Sequence, residues 1–110
     1  MRVIRLKPYL RAMRRMGLGD AEMGRIEADI LAAPESHPML QGLKGVRKAR
    51  FALPGRGKSG GGRAIYYAAL GRGLMAMLTA YPKSEKEDLS PEDRRVILRV
   101  LETIVHGDRQ

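Results

Sequence analysis

Residues 44–81 read KGVRKARFALPGRGKSGGGRAIYYAALGRGLMAMLTAY, and this stretch decides the fold. Its first part alternates with a period of two. Val46, Lys48, Arg50 and Ala52 share one face, and Arg47, Ala49, Phe51 and Leu53 share the other, which predicts a strand over Lys44–Leu53. Pro54 to Gly62 is a glycine-rich loop. Arg63 to Leu70 predicts a second strand, with Arg63, Ile65 and Tyr67 on one face. Gly71-Arg72-Gly73 makes a tight hairpin connection. Leu74 to Tyr81 is apolar on both faces, which predicts a third strand in a central position. Three strands joined in this way form an antiparallel meander.

The flanks read as helices. Val3, Ile4 and Leu6 predict a short first strand, and Pro8 suits the first turn of a helix carrying Leu6, Leu10 and Met13 on one stripe. Arg11, Arg14 and Arg15 lie off that stripe, and Gly17 and Gly19 end the element. Asp20 is the expected N-cap of a second helix, with Glu22 in its first turn and Met23, Ile26 and Ile30 on one face, up to Pro34. After the meander, Ser90, Pro91 and Asp93 read as a capping box opening a last helix. That helix carries an apolar stripe of Val96, Ile97, Val100, Leu101 and Ile104 and ends at Gly107. The fold class is therefore α+β: two N-terminal helices and a C-terminal helix against one small antiparallel sheet, in a single domain spanning residues 1–110.

Composition narrows the function. The chain has no cysteine, which removes disulfides and thiolate metal sites. Two histidines, His37 and His106, supply neither a zinc ligand set nor a Ser-His-Asp triad. No apolar run approaches the roughly 18–20 residues needed to span a bilayer, and the charged start Met1-Arg2-Val3-Ile4-Arg5 is a poor secretory signal, so a cytoplasmic location is expected. The net charge is +9, and it is unevenly spread. Residues 1–35 carry 7 basic and 5 acidic side chains, and residues 85–110 carry 5 and 7, so these two parts cancel. Residues 36–84 carry 9 basic side chains and no acid, which is the whole net charge. A solubilising surface would mix the signs. An acid-free stretch of this length favours a polyanion, above all a nucleic acid.

Gly57-Lys58-Ser59 resembles the end of a phosphate-binding P-loop, but the glycine required five residues earlier is Ala52, and a strand rather than a helix follows. A basic hairpin loop is the better reading, in which Arg56 and Lys58 supply charge and the glycines let the backbone approach a phosphate. Lys48, Arg50 and Arg63 converge on one sheet face if the strand register allows, with Tyr67 along the same face and Tyr81 and Lys83 at the end of the third strand. Cations hold phosphates and aromatic rings stack on bases, so this is an RNA platform. The plain alternative for each tyrosine is core packing with the hydroxyl at the rim, which we prefer for Tyr66. Cutting RNA without a metal needs a base for the 2′-hydroxyl, cations for the phosphorane and an acid for the leaving 5′-oxygen. With no histidine among these cations, lysine or tyrosine must do the proton work, with pKa values lowered by the clustered charge.

Four blocks of the sequence carry a resemblance. They are Gly42 to Phe51 (GLKGVRKARF), Gly55 to Arg63 (GRGKSGGGR), Ile65-Tyr66-Tyr67, and Thr79 to Ser90 (TAYPKSEKEDLS). In this order they resemble RelE-like toxins of type II toxin–antitoxin modules in the RelE/ParE superfamily, nearest to the RelE and HigB-type messenger RNA interferases. The resemblance spans about residues 20–105 and is most specific over 42–90. It implies the RelE/ParE α+β fold and cleavage of messenger RNA in the ribosomal A site, with no metal and no cofactor. It also implies a cognate antitoxin as partner, and operator DNA reached only through that antitoxin. A membrane is not among the implied partners. By position, the resemblance and the strand reading together make Arg50, Lys58, Arg63, Tyr81 and Lys83 the catalytic candidates. Lys44, Arg47, Lys48, Arg56, Tyr67, Arg72 and Lys86 are the candidates for RNA and ribosome binding. Ala68, Ala69 and the short Gly71-Arg72-Gly73 turn depart from the bulkier, more polar hairpin of that pattern. Two other functions stay open at this point: DNA gyrase inhibition of the ParE type, and a non-catalytic RNA-binding regulator.

Overall fold

A computed structural model describes residues 1–54 and 61–107. The elements run β1 (Arg2–Arg5), α1 (Lys7–Arg15), α2 (Asp20–Ala32), β2 (Arg47–Phe51), β3 (Gly62–Ala69), a 3₁₀ turn (Leu70–Arg72), β4 (Leu74–Pro82) and α3 (Pro91–Gly107). The sheet order is β1-β4-β3-β2. Strands β2, β3 and β4 form the expected antiparallel meander, and β4 is central. The sheet as a whole is mixed, because β1 pairs parallel to β4 from Arg2↔Leu74 to Arg5↔Met77. No described helix is long and apolar enough to cross a membrane.

Helices cover both faces of the sheet, because each face is apolar. On one face Tyr9, Met13, Met23 and Ile30 of α1 and α2 pack with Ala49, Phe51, Ala64, Tyr66, Met75, Met77 and Ala80. On the other, Ile97 and Leu101 of α3 pack with Val46, Ile65, Ala76, Leu78 and Tyr81, closed by Leu43 and Leu89. The β4 residues in these two lists show a break in alternation. Ala76 and Leu78 face α3 and Met75 and Met77 face α1, yet beyond this point Tyr81 faces α3 and Ala80 faces α1. The register slips at that place: Ile65 pairs Thr79 but Tyr66 pairs Met77, so Leu78 is an extra residue on β4. This bulge reverses the parity of the strand and turns Tyr81 to the α3 face.

Helix ends explain several boundaries. The last helix opens with a reciprocal pair in which the Ser90 N–H donates to Asp93 Oδ2 and the Asp93 N–H donates to Ser90 Oγ, both at 3.0 Å. The N-cap of α2 is Gly19, not Asp20. Glu22 Oε1 accepts the Gly19 N–H at 2.6 Å, and the Asp20 carboxylate is drawn to Arg5 at 2.9 Å instead. The predicted strand start at Lys44 is a turn. Lys44 has φ 53° and Gly45 φ 95°, left-handed values outside the extended region of a regular strand, and β2 begins at Arg47.

A buried ion pair ties the N-terminal half together. Glu27, 5 % exposed, accepts Arg5 Nε and Nη2 at 2.8 Å each and the Tyr9 hydroxyl at 3.0 Å. Strand β1 and both helices thus share one carboxylate. Burial, with Glu27 beside it, pushes the Tyr9 phenol well above its ordinary pKa.

Candidate functional site

The strand register gathers part of the predicted set. Arg50 pairs with Arg63, and Arg63 pairs with Tyr81, so one row crosses β2, β3 and β4. Directly opposed residues of antiparallel strands have their Cβ atoms about 4.5–5.5 Å apart, and like charges so placed repel. Lys48 stands one rung further in, opposite Ile65. Lys83 stands just beyond β4, where its N–H donates to Gly61 O at 2.9 Å and so extends the ladder past Gly62↔Pro82. Arg50 is exposed and makes no ion pair with a described residue. Arg63 is only 4 % exposed, and its Nη1 donates to Gly62 O at 3.1 Å.

Two glycines at the start of β3 serve packing rather than an open approach to a phosphate. A Cβ at Gly62 would lie 2.2–2.8 Å from three ring carbons of Phe51, and one at Gly61 would lie 2.1 Å from the Phe51 carbonyl oxygen. The Phe51 ring fills the space that a side chain at Gly62 would need, and this joint sets the position of Arg63. Arg56 and Lys58 lie outside the described residues, as do the other glycines of the loop between Pro54 and Gly61.

The acid-free stretch does not stay free of acids once folded. Asp88 Oδ1 lies 3.2 Å from Lys48 Nζ and Glu87 Oε1 lies 3.9 Å from Lys83 Nζ; just after the stretch, Asp93 Oδ2 lies 2.7 Å from Lys86 Nζ. The Tyr81 hydroxyl donates to the Glu87 carbonyl at 3.4 Å. Residue 87 therefore touches β4 and residue 88 touches β2, which means that this segment crosses over the end of β3 between them. An acidic strap of residues 85–88 lies over the Arg63–Tyr81 part of the row, while Arg50 stays exposed.

The strap corrects the expected role of Tyr81. Its ring is 1 % exposed, and Lys86 Nζ sits 5.3 Å from the ring centroid, so no face is open for a base to stack on. Its pKa is raised, not lowered. Burial is the main cause, Asp88, Asp93 and Glu87 add to it, and Arg63 alone opposes. Tyr81 is thus a protonated phenol, able to donate a proton but not to take one at neutral pH. Asp93 is the reverse: burial pushes its carboxyl up, but hydrogen bonds from Lys86 and Ser90 outweigh this and hold it below the usual carboxylate range.

Four other predicted residues are not brought to the row. Arg47 faces α1 and α2, opposite Tyr66, and its Nη1 donates to Glu35 O at 3.0 Å and His37 O at 2.7 Å, so it clamps the loop after α2. Lys44 sits in the turn before β2 and lines a groove with Arg95, Arg99 and His106 of α3. Arg72 lies in the 3₁₀ turn at the opposite end of the hairpin, where Nη2 donates to Ile104 O at 3.3 Å. Six residues separate Arg63 from Ala69, about 20 Å along an extended strand. Tyr67 is half-buried in the α3-side core and packs near Gly45. Tyr66 is fully buried and its hydroxyl donates to Pro34 O at 2.6 Å, the core role expected of it. Among the described residues no three His, Asp or Glu side chains gather as a metal-binding set.

Sequence reading gave no role to the α1 arginines. Arg11, Arg14 and Arg15 are exposed and line a cleft of about 600 Å³ whose other lining includes Thr79, Tyr81 and Lys86. Their position off the apolar stripe of α1 was the available signal.

Comparison with known proteins bears on the family and the fold. The family model for the RelE toxin of the RelE/RelB toxin–antitoxin system matches residues 1–108. The solved structure of the isolated E. coli RelE toxin is similar with a TM-score of 0.52 at 16% identity, covering 89% of this chain and 96% of that one. A double arginine-to-alanine mutant of E. coli RelE in the free state gives a TM-score of 0.50 at 16% identity, covering 77% and 85%. At that identity the likeness concerns the fold.

Proposed function

Because the chain belongs to the family of RelE toxins of toxin–antitoxin systems, we propose that it is a ribosome-dependent endoribonuclease that cuts messenger RNA in the ribosomal A site. The observation that carries this reading is the row Arg50–Arg63–Tyr81 across three adjacent strands, with Lys83 at its end. A phosphodiester is the ligand that turns two opposed arginines from mutually repelling into cooperating groups.

In this mechanism Arg50 and Arg63 hold the scissile phosphate and stabilise the charge that grows on it in the transition state. Lys83, exposed and only loosely tied to Glu87, is one candidate base for the 2′-hydroxyl, and Lys58 is the other. Tyr81 keeps its proton and serves as hydrogen-bond donor to the phosphate or the leaving 5′-oxygen. Lys48 adds positive field once Asp88 gives way, and Lys86 stays beside the Tyr81 ring, paired with Asp93. Cleavage is weak on free RNA because the strap covers Arg63 and Tyr81. The ribosome supplies a message held in place against which the strap is exchanged. The cognate antitoxin neutralises the protein by covering this face, and operator DNA is reached through the antitoxin. Such a protein works in the cytoplasm, where ribosomes and message are.

The test is to map messenger RNA 5′ ends in a reconstituted translation reaction with and without ribosomes. Codon-spaced cuts only with ribosomes are expected, lost in Arg63→Ala and Lys83→Ala. Intact message under both conditions, or unchanged cutting by both variants, refutes the assignment. A DNA supercoiling assay on the same protein checks gyrase inhibition.

A further inference from the structure

We propose that the arginine face of α1 is a second RNA-binding surface, one that grips phosphodiester backbone outside the cleaved segment. It rests on the reading of the protein as RNA-directed, but on different residues. Arg11, Arg14 and Arg15 stand three and four positions apart, so they share one side of α1. All three are exposed, and among the described residues none of them forms an ion pair. They form one wall of the 600 Å³ cleft, and Thr79, Ala80 and Tyr81 line it from β4. There β4 has lost its β1 neighbour, since that pairing ends at Met77. The cleft therefore runs from the arginines to Tyr81, the end of the row across the sheet. Two carboxylates also line it. Asp93 is committed to Lys86 at 2.7 Å, and Glu85 is exposed.

Phosphate backbone suits this wall better than a protein does. Protein interfaces need apolar or aromatic anchors at their centre and are depleted of charge there. The solvent side of α1 offers Lys7, Arg11, Arg14 and Arg15 and no large apolar side chain among them. Planar guanidinium forks match phosphate oxygens in pairs, and a set of them needs no sequence in the ligand.

The experiment is a salt titration of binding to a short fluorescein-labelled RNA hairpin by the full chain. The variant Arg11→Gln/Arg14→Gln/Arg15→Gln is compared with Arg25→Gln/Arg95→Gln/Arg99→Gln, which removes the same charge from α2 and α3. Three lost phosphate contacts should lower the slope of log affinity against log salt by about 2–3. The control should change it by less than about 1, since it alters only the general field. Equal slopes for the α1 variant and wild type, or for the α1 variant and the control, overturn the proposal. An α1 variant that binds the hairpin normally but no longer binds its antitoxin also overturns it, and assigns the face to protein. If the slope falls as expected while the wild type cuts no message, the surface stands and the nuclease reading fails. If cutting persists and the slope is unchanged, the nuclease reading stands and the surface fails.

Discussion

Replacing Gly62 by alanine tests the joint that places Arg63. The added Cβ would sit 2.2, 2.6 and 2.8 Å from the Phe51 Cζ, Cε2 and Cε1 atoms. Carbon contacts are comfortable at about 3.5–4.0 Å, so the ring has to retreat by about 1 Å. It cannot do so freely, because Phe51 is 5 % exposed and packed in the core beneath α1 and α2. Overpacking of this kind costs about 1–3 kcal/mol. The reduced freedom of the unfolded chain returns about 0.4–1 kcal/mol. The net loss is about 1–2 kcal/mol, or roughly 4–8 °C in Tm for a domain of this length. Gly71→Ala is the control: a Cβ there meets nothing within 4 Å, and Gly71 is not among the glycines with positive φ. It should be neutral or slightly stabilising. Phe51→Ala alone costs about 3–5 kcal/mol, but in that background Gly62→Ala should cost almost nothing, because the obstructing ring is gone. Urea melts of the four proteins close the cycle. The packing account is refuted if Gly62→Ala matches Gly71→Ala in stability, or if the effects of Gly62→Ala and Phe51→Ala add within about 0.5 kcal/mol.

Three further outcomes follow from the ion pairs and the buried phenols. Glu27→Gln removes the charge that Arg5 and Tyr9 share, and should lower the urea midpoint by the equivalent of about 3 kcal/mol without changing m; a loss under about 1 kcal/mol would show that Arg5 finds an equal partner in Asp20. Burial pushes Tyr66 up to about 12 from its ordinary 10, with Arg47 partly opposing, so the stability from keeping it neutral is complete below pH 10 and is lost as pH rises from 10 towards 12; Tyr66→Phe should flatten that part of the stability–pH curve, and an equally steep fall would exclude Tyr66 as a cause. Asp88→Asn frees Lys48 while altering a carboxylate that is 77% exposed, so stability should change by less than about 1 kcal/mol and the salt slope of RNA binding should steepen by about 1; unchanged binding would mean that the strap does not compete with RNA.

The helices and the meander were legible because their signals are local. The period-of-two alternation through Lys48, Ala49 and Arg50, the capping pair Ser90 and Asp93, and the two-sided apolarity of β4 each lie within a few residues. What could not be read depends on contacts between distant parts of the chain. Nothing in Arg2–Arg5 says that it pairs parallel to β4. The turn at Lys44 and Gly45 hides inside a run that alternates like a strand. The bulge at Leu78 decides which face Tyr81 occupies, and unbroken alternation from Leu78 would have put Ala80 there instead. The pairing of Lys48 with Asp88 spans 40 residues, so a charge count along the chain treats as bare a cation that the fold neutralises.

The strap is held unevenly. At its C-terminal end Leu89 is buried in the α3-side core, and Ser90 and Asp93 are locked into the start of the helix. Ahead of that anchor, Glu85, Glu87 and Asp88 are exposed, and the pairs to Lys48 and Lys83 are surface pairs worth about 0–1 kcal/mol each. In the proposed reaction a phosphodiester bound by Arg50, Arg63 and the freed Lys48 and Lys83 would make several charge-assisted hydrogen bonds at once. It would outcompete Glu87 and Asp88 one at a time, and Leu89, with Lys86 held at Asp93, would keep the helix seated while residues 87 and 88 move. Moving the strap also removes Glu87 and Asp88 from Tyr81, two of the groups that raise its pKa, and leaves Arg63, which lowers it. In the proposed reaction the bound phosphate brings a negative charge in their place, so Tyr81 stays a protonated phenol able to donate a hydrogen bond to the leaving 5′-oxygen.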